Sequence, residues 1–151
     1  MSDLRVRLLS AIHRALYQVS GGRVAGRVAG MPVLLLTTVG RTSGKRRTVP
    51  LTYFEEDGAI VFVASYGGRP YNPAWFENLM AAGEGEVRIG RERRWLRARC
   101  ATHDERSRLW PRIVETYSGY AAYQAKTTRE IPLALLLSPS SAGPRGSRPL
   151  A

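Results

Sequence analysis

The sequence predicts a mainly β domain, a small β-barrel flanked by helices. It holds six candidate strands, most of them joined in pairs by short turns, and few of the connections are long enough for a helix. A parallel doubly wound sheet needs a helix between nearly all successive strands, so this spacing argues against that fold. The 151 residues, 44% of them hydrophobic, suffice for one domain with a single core.

The strands follow from apolar and β-branched runs bounded by turn signals. They are expected at residues 33–38, 48–55, 59–65, 86–89, 94–100 and 131–137. Asp57-Gly58 predicts a tight hairpin turn, and Pro50 indicates an edge position or a bulge in the second strand. In the fifth strand apolar and basic residues alternate, so Cys100, on the apolar side, is expected to be buried.

One amphipathic helix is predicted before the first strand and another after the third. Residues 4–19 carry a single apolar stripe at spacings of three and four. This stripe is typical of a helix packed on its own domain, and a basic helix on an anionic membrane surface is the alternative. In the second helix Asn72 is expected to be the N-cap, Pro73 the first residue and Gly83 the end.

A third helical stretch is predicted between the fifth and sixth strands. Thr102 and Glu105 have the spacing of a capping box, which marks its start. Pro111 is expected to interrupt the helix because proline lacks an amide hydrogen. Composition then divides the chain into an N-terminal helix and loop (1–30), the barrel domain (31–137) and a disordered tail (138–151) rich in Ser, Pro, Gly and Arg.

The net charge of +11 comes from 23 Lys and Arg against 12 Asp and Glu, and no segment holds most of it. Nucleic-acid-binding arms concentrate their cations, so nucleic acid is not an expected partner. The single cysteine excludes a disulfide scaffold, and the isolated His13 and His103 complete no catalytic or metal constellation, so no metal is expected. No stretch has the uninterrupted apolar run of a membrane span or signal peptide, so a cytoplasmic location is expected.

If the protein is an enzyme, a bound cofactor is expected to carry the chemistry. The candidate cofactor loop is residues 40–47, where glycines let backbone amides turn toward an anion. The side chains that add donors suited to phosphate are Arg41, Thr42, Ser43 and Arg47. It is not a Walker loop, since a strand follows it, and a basic hairpin loop exposed to water is the alternative.

Two further clusters are candidates for the lining of a ligand pocket. Ala64–Gly68 place a serine at a strand end beside two glycines, which would admit a flat ligand, and Trp75 would form a wall. A core position for Trp75 is the alternative. Tyr117, Tyr120 and Tyr123 fall on one helix face, where they suit either a half-open pocket for aromatic substrates or the docking of the helix on the barrel.

Motifs of one known family run through residues 31–137 in order and at the family's spacing. They are Leu35–Gly44, Arg47, Pro50-Leu51, Ala64-Ser65, Gly67-Gly68, Asn72–Trp75, Trp110-Pro111, Tyr117, Tyr120, Tyr123-Gln124 and Ile131-Pro132. With these residues the chain resembles the deazaflavin-dependent nitroreductase family. The ordered set is far more specific than any one of its motifs.

The resemblance implies a six-stranded split β-barrel, similar to that of FMN-binding proteins. It also implies coenzyme F-420, a 5-deazaflavin with a phosphate and an oligoglutamate tail, and quinones or nitroaromatic compounds as acceptors. A reduced deazaflavin donates a hydride from carbon, so no histidine base is required, and the protein aligns the acceptor and stabilises its developing charge. Two predictions stay open beside the resemblance: a homodimer, and the peripheral contact of the N-terminal helix with the inner face of the membrane that its basic amphipathic pattern allows.

The resemblance also assigns roles by position. The residues that would hold the phosphate and the anionic tail are Arg41, Ser43, Gly44 and Arg47. Those that would bound the deazaflavin ring are Pro50, Ala64, Ser65, Ala74 and Trp75. The residues expected on the catalytic, substrate side are Ser65, Tyr117, Tyr120 and Tyr123.

Two residues of the expected cofactor-binding set, Thr42 and Tyr66, differ from the residues that the family usually has at these positions. Thr42 stands where the family usually has Lys, which removes one charge that Lys45 or Arg46 would replace. Tyr66 also stands where Lys is common, which alters the pocket rim.

The leading hypothesis is therefore an F-420-dependent oxidoreductase that transfers a hydride to a quinone-like or nitroaromatic acceptor. An FMN-dependent split-barrel oxidoreductase is one alternative. The other is a non-catalytic protein that binds or sequesters the deazaflavin.

Overall fold

The structure, a computed structural model, describes residues 7, 9–10, 12–14, 27–28 and 30–139. Its strands are β1 (Arg27–Val28), β2 (Met31–Val39), β3 (Arg46–Thr52), β4 (Phe54–Glu56), β5 (Ala59–Val63), β6 (Glu84–Ile89), β7 (Glu92–Cys100) and β8 (Leu133–Leu137). Its helices are α1 (Ala74–Ala82), α2 (His103–Thr116) and α3 (Gly119–Ala125), and a 3-10 turn covers Tyr66–Gly68. The described residues between 7 and 14 are helical, as predicted for that segment.

The described strands form one antiparallel sheet that closes on itself. Their order is β1-β2-β6-β7-β8-β5-β4, and β3 also pairs with β2. Only Tyr53 separates β3 from β4, yet β4 pairs with β5 at the opposite end of the order. The stretch from 46 to 56 therefore closes the sheet into the predicted barrel.

The predicted strand at residues 48–55 is divided in the structure. The amide of Tyr53 donates to the carbonyl oxygen of Pro32 at 3.2 Å, and the side chain of Tyr53 is buried. This division and the short β1 give eight described strands where six were predicted. Pro50 lies in β3, which in the described part of the chain pairs only with β2, as expected for proline at a sheet edge.

Two apolar cores lie on the two sides of the barrel wall. Strand β5 alternates between them: Ile60 and Phe62 face the interior core, while Val61 and Val63 face a second core beneath α2 and α3. Because both faces of β5 are covered, all five of its residues are buried. This is why β5 is a continuous apolar run in the sequence.

Helix α2 begins at the predicted capping box and continues through Pro111. The amide of Glu105 donates to Thr102 Oγ1 at 3.2 Å, and the amide of Thr102 donates to Glu105 Oε1 at 2.9 Å. The predicted interruption is wrong. Leu109 and Ile113 on either side of the proline are both buried in the second core, and their packing stabilises one unbroken helix.

Helix α1 begins one residue later than a cap at Asn72 would place it. The N-cap is Pro73, and the side chain of Asn72 instead donates to Glu77 Oε1 at 3.0 Å and accepts from Arg129 at 2.9 Å. The predicted cap at Asn72 is therefore wrong. Gly83 ends the helix as predicted, with φ +71° and its amide bonded to the carbonyl oxygen of Leu79.

Cys100 is exposed, so its predicted burial is wrong. Leu96 of the same strand is buried as expected, but Cys100 is the last residue of β7, beyond the part of the strand that packs on the interior core. The rest of the predicted N-terminal helix, and the predicted tail from residue 140 onward, lie outside the described residues. Among the described residues no helix is long and apolar enough to cross a membrane.

The start of α2 generates a prediction about stability and pH. A bidentate hydrogen bond from the Arg99 guanidinium holds the pKa of Glu105 at about 2, below its ordinary value of 4.5. The ionised carboxylate therefore stabilises the fold above pH 4.5, and this stabilisation disappears as the pH falls toward 2. Glu105→Gln should lower the free energy of unfolding by about 1 kcal/mol at pH 7.

Urea unfolding across this pH range measures the effect. The difference between the wild type and Glu105→Gln should shrink toward zero at the acid end. Glu115→Gln, which changes an exposed carboxylate on the same helix, should have little effect at any pH. A Glu105→Gln difference independent of pH would contradict the assigned ion pair.

Candidate active site

A cavity of about 1500 Å³ lies beside the barrel, along β3. All seven residues of β3 line it, together with the loop before β3, the end of β5 with the 3-10 turn, the start of α1, one residue of α3 and part of the N-terminal helical segment. It exceeds the roughly 300–1,000 Å³ that most small-ligand pockets enclose. It therefore has room for a large ligand or for two ligands together.

The cavity is strongly basic. Its described lining residues include no Asp or Glu, and the arginines among them are Arg7, Arg14, Arg41, Arg46 and Arg47. Arg46 forms a 3.4 Å ion pair with Glu86, and Glu86 is not one of the residues that line the cavity. Cations concentrated along a low-dielectric cleft attract an anionic ligand.

In the loop between β2 and β3 the amides of the two glycines bond carbonyl oxygens of the loop itself and do not turn toward an anion as predicted. The amide of Gly40 donates to the carbonyl oxygen of Lys45 and the amide of Gly44 to that of Gly40, both at 2.8 Å. A Cβ on Gly40 would collide with the hydroxyl of Ser43, and Gly44 has φ +69°. The glycines thus shape a tight loop whose Arg41, Thr42 and Ser43 face the cavity.

Asn78, on α1, orients Arg41 and was not singled out from the sequence. Its Oδ1 accepts from the Arg41 amide at 3.1 Å and from Arg41 Nη1 at 2.8 Å, and Asn78 is buried. Because this partner is neutral, the Arg41 guanidinium keeps its full charge while its direction is set. The sequence signal was present: a polar residue one turn after Trp75 on an otherwise apolar helix face.

The predicted ring-binding cluster does form one wall of the cavity. Ser65 and Tyr66 come from the turn after β5, and Ala74 and Trp75 from the first turn of α1. Trp75 also packs edge-on against Phe62, with ring centroids 5.6 Å apart. It is therefore both a core residue and a cavity wall, so the two interpretations of Trp75 are compatible. Ser65 is buried at 9% exposure and still reaches the lining.

The three tyrosines pack edge-to-face in a row, but only one reaches the cavity. Tyr120 lies 5.2 Å from Tyr117 and 6.0 Å from Tyr123, measured between ring centroids. Tyr120 lines the cavity, and its hydroxyl shares a 2.9 Å hydrogen bond with Thr52. Tyr117 and Tyr123 pack on the second core, as their alternative interpretation held.

The hydroxyls of Tyr120 and Tyr123 have raised pKa values. Desolvation raises the pKa of Tyr120 above its ordinary value of 10. The hydrogen bond with Tyr117 likewise raises the pKa of Tyr123. At neutral pH each hydroxyl is therefore a neutral donor and not a phenolate.

The N-terminal helical segment contributes a wall that the sequence did not assign to the site. Arg7, Leu9 and His13 line the cavity, and Arg14 Nη1 donates to the carbonyl oxygen of Thr48 at 2.8 Å. This hydrogen bond joins the segment to β3. Leu9 and Ile12 on the same segment are 57% and 50% exposed.

Most of the expected site residues come together at this cavity. Those in its lining are Arg41, Thr42, Ser43, Arg47, Pro50, Ser65, Tyr66, Ala74, Trp75 and Tyr120. Those outside its lining are Gly44, Ala64, Tyr117 and Tyr123. Gly44 shapes the loop and Ala64 is fully buried next to Ser65. The ligand roles of all these residues stay predictions.

The family of this chain follows from comparison with known proteins. Residues 9–138 match the family model described as F420H(2)-dependent quinone reductase. The chain belongs to this family. A family member from Mycobacterium tuberculosis, named an F420H(2)-dependent quinone reductase, is 37% identical over 132 residues, covering 85% of this chain and 89% of the relative.

Solved structures agree with the sequence relatives. An F420-H2 dependent reductase, FDR-A, is 42% identical, covers 70% of this chain and 93% of its own, and superposes with a TM-score of 0.63. A chain described as a domain-swapped dimer is 36% identical, covers 83% of this chain and 96% of its own, and has a TM-score of 0.65. The family, the split-barrel fold, the enzyme class and the F-420 cofactor expected from the sequence are confirmed at the level of the family. The homodimer and the nitroaromatic acceptor stay predictions.

The turn that carries Ser65 in this family member generates a prediction about Gly68. Gly68 has φ +83°, and a Cβ on it would lie 2.6 Å from the carbonyl oxygen of Tyr123. Gly67, with φ +64°, has open space around the same position. Gly67→Ala should therefore cost about 1 kcal/mol of stability from backbone strain alone, whereas Gly68→Ala should cost about 2–4 kcal/mol from strain and overpacking.

Urea unfolding of the two alanine variants checks this prediction. The pair is matched in residue type and in the change made, so their difference reports the contact with α3. Equal losses of stability would show that the turn does not press against α3.

Proposed function

We propose that this protein reduces quinones with coenzyme F-420 as the hydride donor. The observation that carries the proposal is the acid-free arginine cleft, continuous with the wall formed by Ser65, Tyr66 and Trp75, in a member of this family. Nitroaromatic compounds are proposed as further acceptors, because a flat aromatic acceptor meets the same wall and the same donors.

The residues of the cleft fit the chemistry of the coenzyme. A phosphate and an oligoglutamate tail are anionic, and five arginines line the cavity without a carboxylate among the described lining residues. A flat ring system suits a wall made of an indole and a backbone turn. The volume of about 1500 Å³ leaves room for a second flat molecule.

The loop before β3 is proposed to hold the phosphate. Asn78 aims the Arg41 guanidinium, Ser43 adds a hydroxyl, and Arg47 adds a second fork of donors. Thr42 lacks the charge that the family usually has here, and Arg46, which lines the cavity, would supply it by exchanging its exposed ion pair with Glu86 for the phosphate. Lys45 is outside the lining, so we favour Arg46 over Lys45 for this role.

Ser65 and Tyr120 are proposed to act on the acceptor. The bound coenzyme supplies a hydride from a ring carbon, so the protein's task is alignment and charge stabilisation. The hydroxyls of Ser65 and Tyr120 donate to the acceptor oxygen as negative charge develops on it. Tyr120 suits this task because it lines the cavity and its hydroxyl, whose pKa burial raises further above neutrality, is a neutral donor. Solvent completes protonation, so His13 need not act as a base.

A cofactor titration tests the proposal. The wild type should bind oxidised F-420 and, with reduced F-420, should reduce a soluble quinone such as menadione. Arg47→Ala should weaken F-420 binding by more than about 1 kcal/mol, the effect of losing a charged hydrogen bond. Binding of the deazaflavin riboside without phosphate should not change. The control Arg97→Ala, an exposed arginine on β7, should leave both affinities unchanged.

The same titration separates the alternatives. Absence of F-420 binding at tens of micromolar would contradict the proposal, and a protein purified with bound yellow flavin would favour an FMN enzyme. Tight F-420 binding without oxidation across a panel of quinones and nitroaromatics would favour a sequestering protein. If Arg47→Ala bound F-420 and the deazaflavin without phosphate more weakly by the same factor, the loop would not bind the phosphate.

We also propose peripheral contact of the N-terminal helical segment with anionic membrane. Leu9 and Ile12 are exposed large apolar side chains three residues apart, flanked by Arg7 and Arg14. Such a face would bring the cavity to a lipid-dissolved quinone. The Leu9→Ser/Ile12→Ser variant should therefore lose most of its sedimentation with vesicles of phosphatidylglycerol and phosphatidylcholine.

A matched control keeps this test specific. Trp95 is 53% exposed on β7, which is separated by β6 and β2 from β3, the strand that the N-terminal segment contacts. Trp95→Ser should sediment like the wild type. If Trp95→Ser no longer sedimented with the vesicles and the Leu9→Ser/Ile12→Ser variant still did, the membrane contact would lie on the β7 face.

A further inference from the structure

We propose that Arg129 is a positioning residue that holds the turn of Ser65 in its working shape. The inference rests on the role of Ser65 in the proposed function. Arg129 lies between α3 and β8, outside the cavity lining, and belongs to none of the motifs that identified the site. Its guanidinium reaches across to the segment from Ala64 to Asn72.

One guanidinium bonds four acceptors of that segment. Its Nη2 donates to the carbonyl oxygens of Ala64 at 3.2 Å and Ser65 at 3.0 Å. Its Nε donates to the carbonyl oxygen of Arg69 at 2.9 Å, and its Nη1 donates to Asn72 Oδ1 at 2.9 Å. The four acceptors span the whole turn between β5 and α1, so Arg129 fixes both of its ends.

Arg129 is itself held from the opposite side. Gln124 Nε2 donates to the carbonyl oxygen of Arg129 at 2.8 Å, and Gln124 Oε1 accepts from the Ile131 amide at 2.9 Å. Arg106 Nη2 adds a 3.0 Å hydrogen bond to the same Oε1. The backbone at 129–131 is therefore tied to α3, and Arg129 extends this tie to the turn.

The turn needs such a restraint because its backbone is strained. Tyr66 has φ +46°, a left-handed conformation that a residue with a Cβ rarely adopts, and Gly67 and Gly68 follow with φ +64° and +83°. The Ser65 carbonyl accepts from the Gly68 amide at 2.9 Å as well as from Arg129. Strained turns of this kind persist when the surrounding structure over-determines them.

The restraint also sets Ser65 relative to Tyr120. Gly68 packs against the Tyr123 carbonyl of α3, and Arg129 joins the turn to the segment that follows α3. Ser65 and Tyr120, the two proposed donors to the acceptor, thus come from elements connected by Arg129. A planar fork with five donors suits four acceptors in different directions, whereas a lysine ammonium does not.

Hydrogen exchange without any ligand tests the restraint. In Arg129→Gln the amides from Ser65 to Gly68 should exchange at least about tenfold faster than in the wild type. Arg129→Lys should behave like Arg129→Gln, because it keeps the charge and loses the fork. The control Arg108→Gln removes an exposed arginine of α2, and it should leave this exchange unchanged. Unchanged exchange in Arg129→Gln, or full protection in Arg129→Lys, would overturn the inference.

A double-mutant cycle tests whether Arg129 acts through Ser65. Arg129→Gln and Ser65→Ala should each lower kcat/KM for menadione by about tenfold or more, with the Kd of F-420 nearly unchanged in Arg129→Gln. In the double variant the second change should add less than about a twofold loss. Losses that multiply would overturn the inference, since they would assign Arg129 a role independent of Ser65.

The two measurements keep this inference separate from the proposed function. If the wild type does not oxidise reduced F-420, the proposed function fails, and the exchange comparison still decides whether Arg129 holds the turn. If quinone reduction is found while exchange in Arg129→Gln is unchanged, the positioning role fails alone.

Discussion

The bend at Tyr53 is the constraint on which the rest of the structure depends. Because of this bend, the residues before Tyr53 pair with β2 as strand β3, and the residues after it pair with β5 as strand β4. The barrel therefore closes without a further strand. In the described residues β3 then pairs on one side only, and its other edge faces the cavity. An unpaired strand edge offers backbone donors and acceptors to whatever lies against it. The closure of the barrel and the position of the binding cleft are thus consequences of one feature.

The arginines have two kinds of partner, carboxylates and neutral groups. Arg99 and Arg112 pair with the carboxylates of Glu105 and Glu56 on the outside. In the cleft Arg46 pairs with Glu86, whereas Arg41 bonds the neutral Asn78 and Arg14 bonds a backbone carbonyl. A neutral partner orients a guanidinium and leaves its charge available. The sequence showed the net charge of +11 as diffuse, and folding brings five of the arginines together along a cavity whose described lining holds no Asp or Glu.

Features of the fold that depend only on a few neighbouring residues were predicted correctly from the sequence. The Asp57-Gly58 turn and the capping box of α2 each arise from a few adjacent residues, and the structure contains both. The errors arose where tertiary packing overrides a local preference. Pro111 stays within a helix because the residues around it are buried, and Asn72 is drawn away from its cap by Glu77 and Arg129.

What the sequence could not show are contacts between distant segments. Arg14 and Thr48 are 34 residues apart, Arg41 and Asn78 are 37 apart, and Arg129 meets Ser65 across 64 residues. No periodicity or turn rule connects such positions, since each rests on neighbours in sequence. Yet these contacts determine which way the functional groups face. The motif residues supply the chemistry of the cleft, and residues outside the motifs supply its geometry, so a variant that keeps every motif can still lose the alignment that hydride transfer needs.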